Sequence, residues 1–178
     1  MRKLTVGSLV SLDGIQEAPR SWASAYFDDA AAEESLAKLM ASDAMLMGRN
    51  TYEYFAPAWP AATGPYADRV NAIRKYVFSS TLKTADWNNS EIVSGDVVSE
   101  VRKLKEDGTG DLVIYGYGQL ARTLMENDLV DELKVWIHPV ILGHGTPISH
   151  AGHTKTLQLA SVEQRPTGVV TLSYTAKQ

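Results

Sequence analysis

Along the chain, apolar and polar residues alternate in short strand-like runs separated by stretches of helical spacing. Leu4-Thr5-Val6-Gly7-Ser8-Leu9-Val10-Ser11-Leu12 follows the two-residue period of a strand, and Asp13-Gly14 closes it with turn chemistry. Between Asp28 and Met40, Ala32, Leu36, Leu39 and Met40 recur at helical spacing, behind two aspartates placed to cap a helix and meet its dipole. Ala44-Met45-Leu46-Met47 is an apolar run stopped by Gly48. It reads as a buried strand, although its composition fits a helix segment equally. A helix starts near Asn50, a Pro-, Ala- and Gly-rich loop spans Ala56 to Pro65, and Tyr76-Val77-Phe78 forms a strand running into Ser79-Ser80-Thr81.

The second half is more regular. Glu91 to Val93 predicts a strand, Val97 to Lys105 an amphipathic helix, Leu112 to Tyr115 a β-branched strand, and Gln119 to Asn127 a helix. Leu133 to Ile137 is a further strand, and Thr156–Gln164 and Val169–Thr175 pair around Pro166-Thr167-Gly168. Strands alternating with helices predict an α/β sheet covered on both faces, with an antiparallel C-terminal edge. No repeat, linker or low-complexity tract divides the chain, so 1–178 reads as one domain.

Composition narrows the function. With 178 residues, 44% hydrophobic and 21% charged, the chain has the apolar material of a globular domain. Its net charge of -4 argues against nucleic-acid binding, which normally requires a basic surplus. Zero cysteines exclude disulfides, thiolate nucleophiles and cysteine-ligated metals. There is no apolar run long enough for a membrane span and no signal-peptide pattern, so the expectation is a cytoplasmic protein.

Three turns at predicted strand ends could bind anions. Gly116-Tyr117-Gly118-Gln119-Leu120 follows a buried strand and opens a helix, where unpaired N–H groups favour phosphate; the plainer reading is a tight turn. Gly48-Arg49-Asn50-Thr51 offers a guanidinium and a hydroxyl, or only a surface arginine beside a cap. Ser79-Ser80-Thr81 offers three hydroxyls, or a turn cap. Their shared position at carboxyl ends of strands, where open α/β sheets bind ligands, outweighs each motif singly. Asp13 ends a strand too, fitting either substrate contact with proton transfer or a turn with Gly14. His138, His144, His150 and His153 lack zinc-enzyme spacing and read as loop and surface residues; no metal is expected. Ser79, Ser80 and Ser149 have no nucleophile-elbow context. Trp22 and Trp59 are candidates to wall a pocket.

Six blocks in order carry a resemblance: Val10-Ser11-Leu12-Asp13-Gly14, Asp43 to Tyr52, Lys75 to Leu82, Gly116 to Leu120, Leu129 to Leu133, and Pro139 to Gly145. The chain resembles the dihydrofolate-reductase-like family that includes the RibD C-terminal reductase domain of riboflavin biosynthesis, and its short bacterial members in particular. That resemblance implies a three-layer α/β/α fold, bound NADPH and a homodimer. It implies cofactor-phosphate contacts from Gly48, Arg49 and Thr51, adenosine-side contacts from Ser79 and Ser80, and a pyrophosphate turn at Gly116, Tyr117, Gly118, Gln119 and Leu120. Asp13 would lie at the substrate end. Tyr117 departs from the glycine or serine usual in that turn, so its ring must point away from the phosphates or cover them. The implied activity is NADPH-dependent hydride transfer to a small polar heterocycle or carbonyl, with a phosphoribosylaminouracil and dihydrofolate as competing substrates. The alternative is a nucleotide-binding protein of the same fold without turnover.

Overall fold

The computed structural model describes residues 1–149 and 154–176. Its elements are β1 (Leu4–Ser11), α1 (Asp29–Met40), β2 (Ser42–Gly48), α2 (Arg49–Phe55), α3 (Pro65–Ala72), β3 (Arg74–Phe78), β4 (Ser90–Val93), α4 (Val97–Glu106), β5 (Asp111–Tyr115), α5 (Gln119–Glu126), β6 (Glu132–His138), β7 (Leu157–Gln164) and β8 (Val170–Ala176). Eight strands join in the order β4-β3-β2-β5-β1-β6-β8-β7. The first six run parallel, while β8 is antiparallel to β6 and to β7, as the sequence predicts.

Alternation along the strands builds two cores. On β2, Ala44 and Leu46 face α4 and α5, packing with Leu112, Ile114, Val101, Leu120 and Leu124. Met45 and Met47 face the other side, with Leu39 of α1, Tyr52 of α2 and Val70 of α3. Both faces of the parallel strands are therefore covered, which explains why β2 reads as a nearly continuous apolar run. β5 is inserted between β2 and β1, so strand order reverses there, and ligands of open α/β sheets bind above such a switch.

Two local features depart from the sequence pattern. Helix α3 follows Gly64, which has φ 106, and begins on Pro65. Only Ala67 and Val70 of it are buried, too short a stripe to stand out against Asp68, Arg69 and Asn71. β3 also begins at Arg74 rather than at Tyr76, because Lys75 is a core residue. Its ammonium donates to the carbonyls of Asn71, Ile73 and Asn88 and lies 4.5 Å from the Trp87 ring centre, contacts that compensate its burial.

Candidate functional site

The parallel register aligns the strand ends that carry the three anion-binding candidates. Gly48 of β2 pairs with Phe78 of β3, and Tyr115 of β5 with Gly7 of β1. A Cβ on Gly48 would lie 3.9 Å from the Leu120 Cβ, so the β2–α2 junction abuts the β5–α5 turn. The helix starts along this edge fall into two kinds. Asp28 caps α1 by accepting from the Ala31 amide at 2.8 Å, and Asp96 caps α4 by accepting from the Ser99 amide at 2.8 Å. By contrast, α2 and α5 start at Gly48 and Gly118, and neither has a side-chain cap. Their first-turn amides lack intrahelical partners by geometry and carry the positive end of the helix dipole.

Within the glycine turn the residues divide their roles. Gly116 sits at φ 87, a conformation that favours glycine, and its amide donates to the Gly7 carbonyl at 2.7 Å. The Tyr117 amide donates to Gln16 Oε1 at 3.0 Å, and Gln16 Nε2 donates back to the Tyr117 carbonyl at 3.1 Å. These bonds leave the amides of Gly118, Gln119 and Leu120 facing the edge without a protein acceptor among the described residues. The positions a Cβ would take on Gly116 and Gly118 have no protein atom within 4 Å, so the turn is a cradle open to a ligand. The half-buried Tyr117 ring packs against the core that includes Leu120, Ala121 and Leu124 of α5, and partial burial raises its phenol above the ordinary value. The Gln119 side chain lies back along α5, accepting from Arg122 and donating to Thr123, so Gln119 offers the edge only its backbone.

Arg49 and the end of β3 meet. Arg49 Nη1 donates to Thr81 Oγ1 at 2.9 Å, and its Nε pairs with Glu53 at 2.7 Å. Ser79 Oγ accepts from the Thr81 and Leu82 amides at 3.2 and 3.0 Å, so this hydroxyl caps the turn. Ser80 is exposed beside it, and Thr51 is half-buried on α2.

Asp13 has a different environment. Its carboxylate accepts from Ser11 Oγ at 2.6 Å, the Leu142 amide at 3.1 Å and the Gly143 amide at 2.7 Å. These donors, Ser11 foremost, hold its pKa at about 2. The carboxylate is therefore ionised near neutral pH, with three protein donors around it. It ties the loop after β1 to the loop after β6. Glu17 adds to that tie, accepting from the Thr146 amide at 2.9 Å and from its hydroxyl at 2.6 Å.

The model of the RibD C-terminal domain family matches residues 2–171. The chain belongs to that family. It is 30% identical over 138 residues to the uncharacterized protein YyaP of Bacillus subtilis (strain 168), covering 74% of this chain and 73% of that protein. YwjB of the same organism is 27% identical over 123 residues, covering 68% and 67%. A Shewanella sp. PV-4 protein assigned to riboflavin biosynthesis superposes with a TM-score of 0.81 at 22% identity, covering 99% of both chains. The deaminase/reductase of Thermotoga maritima superposes at 0.68 with 14% identity, and the match spans 57% of its length. At these identities the structural neighbours establish the dihydrofolate-reductase-like fold alone.

The remaining sequence candidates in this RibD C-terminal domain serve the scaffold. His138 is not the loop or surface residue expected: it ends β6 and is buried, bonded through Nδ1 to the Val10 and Trp136 carbonyls and flanked edge-on by Trp22 and Tyr26. His144 is exposed and bonds the Leu142 carbonyl at 2.8 Å, while His150 and His153 lie outside the described residues. Trp59 packs with Phe55 and Tyr66. The Asp131 block sits at the opposite end of the sheet, where the carboxylate accepts from the Leu4 amide at 2.7 Å and pairs with Lys105. A concavity of about 240 Å³ opens between β4 and α4, but Glu91 and Glu100 line it and disfavour phosphate. Among the described residues no helix is long and apolar enough to cross a membrane. Sequence reasoning missed Gln16, since a lone glutamine in a loop carries no pattern. Thr81 was visible only as one of three hydroxyls, not as the partner of Arg49.

Proposed function

We propose that this RibD C-terminal domain is an NADPH-dependent reductase acting on a small polar heterocycle or carbonyl. One observation carries the reading: the uncapped start of α5 and the Arg49–Thr81 pair lie along the same sheet edge. The Gly118, Gln119 and Leu120 amides would hold the pyrophosphate, while Arg49, Thr81 and Ser80 would meet a 2′-phosphate. Bound there, NADPH supplies the hydride. The chain's part is to hold the cofactor against the end of β5 and exclude water.

Titrating the protein with NADPH and NADH tests this. A charge-assisted contact contributes roughly 1.5–3 kcal/mol, so a preference for NADPH of about tenfold to a hundredfold is expected. Equal affinities would defeat the assignment of Arg49. Oxidation of NADPH against a phosphoribosylaminouracil and against dihydrofolate then separates the substrates. The engagement of the Asp13 carboxylate by three protein donors favours the second reading, a nucleotide-binding protein without turnover; binding without oxidation of NADPH by any heterocycle would establish it.

We also propose that the domain is a homodimer. On the face of β6–β8–β7 shared with the α4–α5 core, Val162, Leu172 and Val135 form one cross-strand row, and Leu159, Tyr174 and Leu133 another. Leu159 and Val162 are 49% and 56% exposed, and a second copy laid on this face would cover them. Light scattering at micromolar concentration should give twice the 19.5 kDa chain mass, and Val162→Glu should lower it. A wild-type particle of one chain mass defeats the proposal.

A further inference from the structure

We propose that Gln16 is the positioning residue of the glycine turn, fixing with one side chain the peptide planes that aim the phosphate-binding amides. The proposal rests on the cofactor reading above and adds to it the group on which that site's affinity depends.

A glycine on each side of Tyr117 gives this turn backbone freedom to lose on binding. Gln16 removes that freedom at its centre. Its Oε1 accepts the Tyr117 amide at 3.0 Å and its Nε2 donates to the Tyr117 carbonyl at 3.1 Å. The two groups belong to two successive peptide units, 116–117 and 117–118. Each unit is planar and trans, so its carbonyl and N–H point in opposite directions. Fixing the Tyr117 carbonyl towards Gln16 therefore turns the Gly118 N–H away from Gln16, towards the open edge. Fixing the Tyr117 N–H sets the plane of the 116–117 unit, and the unit before it, 115–116, is anchored by the bond from the Gly116 amide to the Gly7 carbonyl.

The residue type follows from the chemistry. Only a carboxamide presents one donor and one acceptor side by side to the N–H and C=O of a single residue. The orientation of that amide is held from behind by buried Ser8, whose hydroxyl donates to Gln16 Oε1 at 3.2 Å. Gln16 itself is anchored by its amide, which donates to the Thr146 carbonyl at 3.0 Å. A carboxylate at position 16 would keep the acceptor but set a second anionic oxygen against the Tyr117 carbonyl, and place negative charge beside the cradle. The clamp acts on the backbone alone, which is how a tyrosine is accommodated in the turn while its ring packs against the core.

The test compares Gln16→Ala and Gln16→Glu with Glu17→Ala, which loosens the same segment by cutting its tie to Thr146 without touching the turn. NADPH affinity, melting temperature and amide hydrogen exchange over residues 116–120 are measured on each full-length protein. Gln16→Ala should weaken NADPH about tenfold, the effect of losing two neutral hydrogen bonds, and Gln16→Glu more. Both should speed exchange in the turn, while Glu17→Ala stays within about twofold of wild type in affinity despite a similar loss of melting temperature. Unchanged NADPH affinity in Gln16→Ala, or equal weakening by Glu17→Ala, overturns the proposal and leaves the cofactor reading standing. Wild-type protein that fails to bind NADPH overturns the cofactor reading, and the affinity role of Gln16 with it. Exchange unchanged by Gln16→Ala overturns the clamp whatever the cofactor does.

Discussion

The two halves of the sheet's carboxyl edge treat their polar groups in opposite ways. Above β3, β2 and β5, helices start on glycines, amides stand without protein acceptors, and a guanidinium lies exposed beside two hydroxyl-bearing residues. Above β1 and β6 the polar groups are engaged within the protein: Asp13 by three donors, Glu17 by two, and His138 by two carbonyls. A binding site for an anion must keep donors unpaid until the ligand arrives, whereas a satisfied carboxylate stabilises a loop. The difference accords with the proposed cofactor site in the first half and with loop closure in the second. Gln16 stands between them, on the β1 loop but bonded to the β5 turn.

Closing the open half should have the largest effect. Gly118 has φ -85 and ψ -166, the extended conformation that an aspartate N-cap adopts. Gly118→Asp would supply α5 with the cap that Asp28 gives α1, adding a few tenths of a kcal/mol and raising Tm by about a degree. Its carboxylate would occupy the amides and repel phosphate. NADPH affinity should fall at least a hundredfold while Tm rises. A variant with higher Tm that binds NADPH like the wild type would show that the start of α5 is no phosphate site.

The next effect is narrower. Arg49→Ala should weaken NADPH about tenfold to a hundredfold and leave NADH nearly unchanged, because only the former carries the 2′-phosphate. Its exposed pair with Glu53 adds little to stability, so Tm should hold. Equal losses for both cofactors, read by the same titration, would move Arg49 from the 2′-phosphate to the pyrophosphate.

The contrast between the halves also explains what could be read from the sequence. β5, with its β-branched residues, and β2, apolar from Ala44 to Met47, were legible because parallel strands buried on both faces require such runs. Gly116 was legible because a strand-to-helix turn at positive φ favours glycine. Asp28 as a cap was legible for a comparable local reason. The purpose of Asp13 was not, since its partners Leu142 and Gly143 lie about 130 residues away and donate through backbone that any sequence has. The same holds for Gln16, whose bonds reach 101 residues to a main-chain N–H and C=O. Side chains that bind remote backbone leave no spacing pattern. Lys75 illustrates the other limit, a charge that belongs in the core only because three carbonyls happen to converge on it.

The smallest effect on turnover should come from Asp13, and it sharpens the comparison from the closed side. If the carboxylate is a latch, Asp13→Asn loses half of its acceptor capacity and sets an amide N–H against the Leu142 or Gly143 donor. The loop after β6 should loosen, Tm should fall modestly, and single-turnover hydride transfer should drop less than about tenfold. A group taking part in proton transfer would instead lose about 10²–10⁴-fold. Acid provides a second handle. The folded pKa of about 2 lies below the model-peptide value of 3.8, so the folded state favours the ionised form. The latch therefore contributes in full above about pH 4 and is lost as pH falls through about 2. In Asp13→Asn that part of the acid dependence should vanish, so the two Tm curves should differ near neutral pH and converge by about pH 2. A constant separation between them down to that pH would mean that the asparagine disturbs the turn by its shape, not by the missing charge.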